Sequence, residues 1–357
     1  VKKALITLAV VFLLARLWAE PVPVYFTKDA SGQGVLKAYE KIKAEAKGKV
    51  AVKTHFGEEG NKYYLKPAVV RPLVEKLKAT LVETNVLYSG PRQRTESHLR
   101  LAKSHGFTFA PIDILDTEGE AAWPCSTARY TRVLVGSHTR DYGTIVVLSH
   151  FKGHGLAGFG GAVKNIAMGL ASPMGKRVMH ADLVPEYDPD KCVSCNACAV
   201  QCPARAIRTN PIKVEARKCI GCGQCVQVCP AGALSPPKGR VGPEEFNRRL
   251  AEYAKAIADS VHLVYINVLA DISPDCDCAS GARKPFVKDI GILASTDPVA
   301  IDQASLDLVN KALGCQDAFL RESGRSGLVQ LEHGERIGLG RRRYRLIDIG
   351  VKHGGGR

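Results

Sequence analysis

Aromatic residues are scarce in this chain, 6% of 357 residues, and no basic stretch shows a repeated alternation with them, Tyr344 being a single ring within 341–345. That pattern argues against nucleic-acid recognition, although 50 Lys and Arg against 35 Asp and Glu leave a net charge of +15. The positive charge is scattered, with local density only over 92–100 and 341–345. Such a surface is simply solvated, or docks an acidic partner or an anionic substrate.

Long apolar runs are missing too. The run over 4–15, which follows Lys2 and Lys3, is too short to span a bilayer comfortably, so membrane association is not expected. The N-terminal segment has no twin-arginine pair, and Ala19 offers a poor cleavage site because Leu17 lies two residues before it. A cytoplasmic protein is expected, with residues 1–20 an over-extended start that stands outside the fold. The alternative is a genuine signal-like segment and export.

Nucleotide signatures are incomplete. Gly153, Gly155 and Gly158 satisfy GxGxxG in form. A dinucleotide site also needs an acidic residue about twenty positions on, after a second strand, and Asp182 is poorly placed for it. A P-loop needs Lys followed by Ser or Thr, whereas Lys164 is followed by Asn165. What remains is a generic anion or cofactor loop of Gly153, Gly155, Gly158 and Asn165 leading into a helix over Ala162–Leu170, or a glycine-rich turn needed only for close packing.

Cysteine, by contrast, is concentrated. Eight of the twelve lie in CVSCNACAVQCP and CIGCGQCVQVCP, two copies of CxxCxxCxxxCP offset by 27 residues, each preceded by Lys and followed by Pro-Ala. Three thiolates at two-residue intervals converge on three corners of one cubane, and the fourth of each run reaches the other cluster. Two [4Fe-4S] clusters are expected, one held by Cys192, Cys195, Cys198 and Cys229, the other by Cys219, Cys222, Cys225 and Cys202. Structural zinc has no use for a third cysteine at this spacing, twice, and a disulfide framework does not suit so long a chain.

The flanks of this block alternate β-rich runs (22–26, 49–55, 81–87, 143–150) with helical ones (34–46, 67–79, 95–105), and the same pattern resumes with a helix over 243–259 and a β-rich run over 261–269. Asp297 caps a helix that opens with Pro298. The expected fold is α/β, a mostly parallel sheet with flanking helices. It is interrupted by an α+β ferredoxin-like module, so that 21–187 and 236–357 form one discontinuous domain around an insertion at 188–235.

Several polar residues should emerge at strand ends: Lys53, His55 and Glu58, then Thr84, Asn85 and Tyr88, with Arg92, Arg94 and His98 following. With His150, Lys152, His154, Lys164 and Asn165 they would form one cationic cleft, since open α/β sheets bind ligands at the carboxyl ends of their strands. His150 and His154 are a metal pair or two hydrogen-bonded loop histidines. Cys276 and Cys278, in DISPDCDCAS, form a soft-metal or redox-sensitive pair or an unligated turn.

These segments resemble the family of domain of unknown function 362, often labelled uncharacterised iron-sulfur centre proteins. The similar stretches are VKTHFGEEGN (52–61), ETNVLYSGPR (83–92), LSHFKGHGLAGFGGAVKNIAMG (148–169), DISPDCDC (271–278) and DIGILASTDPVAIDQAS (289–305), together with the double cysteine run. The resemblance implies an α/β domain carrying an inserted two-cluster ferredoxin-type module. Glu83 stands where the family more often has Asp. The expected function is electron transport coupled to an oxidoreductase reaction in the cleft, with an external electron-donor or electron-acceptor protein as partner. Lys53, His55, His150, His154 and Lys164 are its candidate catalytic residues, the histidines as proton donors and the lysines as clamps on a small anionic substrate. The alternatives are a non-catalytic electron carrier or partner-docking protein, and metal or cluster handling.

Overall fold

In the computed structural model, residues 20–350 are described except 181–183, 203–204, 217, 220–223, 236 and 238–240. The N-terminal segment 1–19, Pro203 and the expected ligand Cys222 therefore lie outside the described residues.

The centre is an eight-stranded sheet. From edge to edge it runs Tyr344–Asp348, Val22–Thr27, Gly291–Ser295, His262–Leu269, Thr144–His150, Val50–Lys53, Thr80–Glu83 and Ile112–Ile114. All neighbours are parallel except that Gly291–Ser295 runs against both of its own. The expected mostly parallel α/β sheet is thus present.

Thr144–His150 is buried along its whole length, which is why its sequence is a continuous apolar run instead of an alternation. Ile145 and Val147 join one core cluster while Val146 and Leu148 join another, because successive side chains point to opposite faces. Helices Ala162–Leu170, Pro243–Ala258 and Pro298–Leu313 supply the first cluster; Gly32–Ile42, Pro67–Leu77 and Thr95–Ser104 supply the second. Three layers result.

Helix starts follow local chemistry. Asp297 accepts from the amides of Val299 and Ala300, both at 2.9 Å, with Pro298 at the first position, a cap worth about 1 kcal/mol. Elements end earlier than periodicity suggests. The helix expected to reach 46 stops at Ile42, where Lys43 turns left-handed, and the strand expected to reach 87 stops at Glu83. Beyond Glu83 the chain leaves the sheet and its polar residues enter the site.

Candidate functional site

The strands Val50–Lys53 and Thr144–His150 are neighbours, yet the sheet grows from the first toward Thr80–Glu83 and from the second toward His262–Leu269. This reversal opens a crevice beyond their carboxyl ends, where open α/β sheets hold ligands. A cavity of about 580 Å³ occupies it.

Lys53 and His55 enter the cavity from one strand end, and His150, Lys152 and His154 from the other. Glu83, Tyr88 and Arg92 come from the third strand and its loop, Lys164 and Asn165 from the helix Ala162–Leu170, and Lys176 from the helix Pro173–His180. All five candidate catalytic residues are therefore brought to one wall-to-wall space. So are Cys276 and Cys278.

A buried charge network organises one side. Lys53 Nζ donates to Glu83 Oε1 at 3.1 Å, Asn165 Oδ1 at 3.0 Å and the Thr54 carbonyl at 3.3 Å, so its three hydrogens are committed inside the protein. Arg92 lies 3.3 Å from Glu83 Oε1 and 3.8 Å from Glu58 Oε2, and donates to Tyr88 Oη at 3.2 Å. Burial alone would raise the Glu83 carboxyl, but Lys53, Arg92 and Lys176 outweigh it and hold it at about 2. Burial and the surrounding cations keep His55 neutral, well below its ordinary range. Its Nδ1 accepts from the Gly57 amide at 2.9 Å while Nε2 faces Arg92 Nη1 at 2.7 Å; a neutral ring satisfies only one of these donors at a time.

On the other side, Asp277 is the hub. His150 presents Nδ1 to Asp277 Oδ1 at 2.8 Å and Nε2 to the Ala270 carbonyl at 2.8 Å, so both nitrogens face acceptors. Lys152 Nζ is 3.4 Å from Asp277 Oδ2. Burial opposes ionisation of Asp277, yet His150 and Lys152 bring it to about 2. On either side of Asp277, the hydrogen bond between Cys278 and Cys276, helped by Lys164 and Lys152 against burial, holds the Cys276 thiol far below its usual range, while the same bond together with burial holds Cys278 far above. Lys164 Nζ is 3.8 Å from Cys276 Sγ. His154, Cys276 and Cys278 offer ligand atoms within 4.8 Å of one another, a candidate metal-binding group.

Lys176 differs from its neighbours. Its partners are neutral, Thr84 Oγ1 at 2.6 Å and the Asn85 carbonyl, and burial brings its ammonium down to about 7.

The glycine loop behaves otherwise than its pattern suggests. The first amides of the helix Ala162–Leu170 are taken by the protein's own Asp302, from Ala162 at 2.7 Å and Val163 at 2.9 Å. Asn165 lines the cavity, whereas Gly153, Gly155 and Gly158 are not among its lining. A Cβ on Gly153 would sit 2.0 Å from the Pro274 carbonyl, so this glycine serves close packing. The glycines that shape the cavity are Gly160, which leaves room for Lys164 and Lys152, and Gly169, where a Cβ would lie 2.4 Å from Lys53 Cε. Periodicity gives no signal for either.

Four of the eight clustered cysteines meet in a second, small pocket: Cys192, Cys195, Cys198 and Cys229. The duplication is visible in the backbone. Helices Ala197–Val200 and Gln224–Gln227 occupy equivalent places 27 residues apart, and so do the amide-to-sulfur bonds from Ala206 to Cys202 at 3.3 Å and from Ala233 to Cys229 at 3.2 Å. None of the described cysteines is disulfide-bonded. Among the described residues no helix is long and apolar enough to cross a membrane.

No curated protein matches the chain. Solved structures similar in part include the following two. One is the lactate racemase apoprotein from Thermoanaerobacterium thermosaccharolyticum, at 10% identity over 80% of this chain and 57% of that one, with a TM-score of 0.39. The other is a Thermotoga maritima protein, at 15% identity over 65% and 58%, with a TM-score of 0.28. The chain thus spans less than two thirds of the length of either. The family described as Domain of unknown function (DUF362) matches residues 50–307, well over half of the sequence, and the chain belongs to that family.

Proposed function

We propose that this protein is an iron-sulfur oxidoreductase in which residues 188–235 hold two [4Fe-4S] clusters that exchange single electrons with a small anionic substrate in the cavity. The observation that carries the reading is the company of Cys229. It belongs to the second cysteine run, yet it lines a pocket with Cys192, Cys195 and Cys198 of the first. That is the crossed ligand set two-cluster ferredoxins use. The residues fit the group in a further respect, because backbone amides already donate to Cys202 and Cys229 sulfurs, the kind of contact that tunes a cluster. When bound, the clusters would supply one-electron transfer to and from an external carrier protein.

The chain's own residues then divide the remaining work. Lys176 is a cavity cation whose hydrogen-bond partners, Thr84 Oγ1 and the Asn85 carbonyl, are neutral, so it is available to an arriving anion, whereas Lys164 faces the Cys276 sulfur. Lys53, Arg92 and Lys152 are offset by Glu83, Glu58 and Asp277 and act as the frame. His55 and His154 are held neutral by burial, so neither carries the charge that the proton-donor role expected of them needs. His150, bonded at both nitrogens, positions Asp277.

The test is anaerobic purification with iron and acid-labile sulfide counted per chain. About eight of each is the expected result. Four of each, or stoichiometric zinc in their place, overturns the two-cluster assignment.

A further inference from the structure

We propose that His154, Cys276 and Cys278 form a mononuclear site for a thiophilic divalent transition-metal ion, distinct from the eight clustered cysteines and facing the cavity. The site does not depend on the cluster reading.

The donor set comes first. Two thiols and an imidazole lie within 4.8 Å of one another in the cavity wall. A tetrahedral ion with metal–sulfur bonds of about 2.3 Å and metal–nitrogen bonds of about 2.0–2.1 Å needs these atoms within about 4 Å, a contraction that side-chain rotation supplies. Soft thiolate with borderline imidazole selects ions of the zinc(II) or iron(II) kind over magnesium or calcium. Three protein ligands leave a position open toward the cavity, as in reactive and not structural sites.

The support behind the ligands is built. Between the two cysteines, the Asp277 carboxylate is held by His150 at 2.8 Å and Lys152 at 3.4 Å. Its carbonyl accepts from the Glu58 amide at 3.0 Å and Asn61 Nδ2 at 3.3 Å, and Asn61 also holds the Ala279 carbonyl at 3.0 Å. The Cys-Asp-Cys turn is thereby fixed from both sides, the outer-shell support that metal ligands require. Lys164, 3.8 Å from Cys276 Sγ, offsets the charge of a thiolate, and Asp277 offsets Lys152.

His154 must adjust. Its Nδ1 accepts from the amides of Leu156 at 3.2 Å and Ala157 at 3.0 Å, so the neutral ring carries its proton on Nε2. Metal at Nε2 moves that proton to Nδ1 and gives up both contacts. The turn has room for this, since no atom lies within 4 Å of a Cβ placed on exposed Gly155. The thiol protons leave to solvent as the metal binds.

The experiment uses the full chain with its iron and sulfide complement counted, dialysed anaerobically against zinc(II) and then against metal-free buffer. Wild type should retain one zinc per chain, and zinc-edge X-ray absorption should report two sulfur and at least one nitrogen neighbour. The double variant Cys276→Ser/Cys278→Ser should retain none while its iron, sulfide and thermal melting stay as in wild type. His154→Ala should bind zinc about tenfold or more weakly. Absence of zinc from wild type would overturn the proposal, and equal zinc in the double variant or a four-sulfur shell would overturn it by placing the metal on the clustered cysteines. Unchanged affinity in His154→Ala would overturn the three-ligand site. Iron and sulfide content reads the cluster assignment separately.

Discussion

The amide of Val241 donates to the carbonyl of His180 at 3.3 Å, so two points of the chain 61 positions apart in sequence meet. Both residues line the large cavity, and the His180 ring packs on Phe246 with centroids 4.7 Å apart. The cysteine-bearing segment therefore joins the rest of the protein at the rim of the candidate site.

A segment whose ends already touch should be removable. Replacing residues 182–240 by a short Gly-Ser linker should leave a chain that unfolds cooperatively in urea, close to the wild-type midpoint, and that contains no iron. A chain that fails to fold would show that the segment is part of the core.

Glu83 is buried between Lys53 and Arg92. Glu83→Gln should destabilise the protein by about 3–5 kcal/mol in urea, because two buried cations lose their partner. Glu96→Gln, at an exposed residue that pairs with exposed Arg100 at 4.0 Å, should change stability by no more than about 0.5 kcal/mol. Equal effects would mean that the buried network is not ionised.

The acid limb of stability follows from the same groups. Glu83 and Asp277 sit at about 2 in the folded protein against ordinary values of 4.5 and 3.8. Groups depressed in this way contribute stability above about pH 4.5, and lose it as pH falls toward 2. Urea midpoints measured down this range should fall more steeply in wild type than in Asp277→Asn. Parallel curves would contradict the assignment of charge to Asp277.

Much of this architecture is legible in the residues, and the exceptions share a cause. IVVL within Thr144–His150 and the Asp-Pro start at Asp297 and Pro298 declare a buried strand and a helix by local chemistry alone. Gly291–Ser295 goes unassigned because its place and antiparallel direction are set by neighbours 22 or more residues away in sequence. The same holds in the site. His150 meets Asp277 across 127 positions, and Lys176 meets Thr84 across 92. A lone lysine on a helix gives no local sign that burial will bring it to about 7. The glycine loop misleads for a related reason, since the anion at its helix is Asp302, 140 positions on from Ala162.

Lys176 gives the cavity a pH dependence. Below about pH 7 it is charged and attracts an anion, and above it is neutral. Calorimetric titration with a short-chain carboxylate such as oxalate should show tighter binding at about pH 6 than at about pH 8, by about tenfold, and Lys176→Met should remove the difference. Binding that ignores pH in wild type would take Lys176 out of the anion site.

The most direct test of the whole account is electron paramagnetic resonance of the anaerobically purified chain after dithionite reduction. Two reduced [4Fe-4S] centres a short distance apart should give a broadened spectrum with spin–spin coupling, integrating to about two spins per chain. A single uncoupled signal, or silence with zinc in place of iron, would contradict the claim that the double cysteine run is electron-transfer wiring at the rim of the cavity.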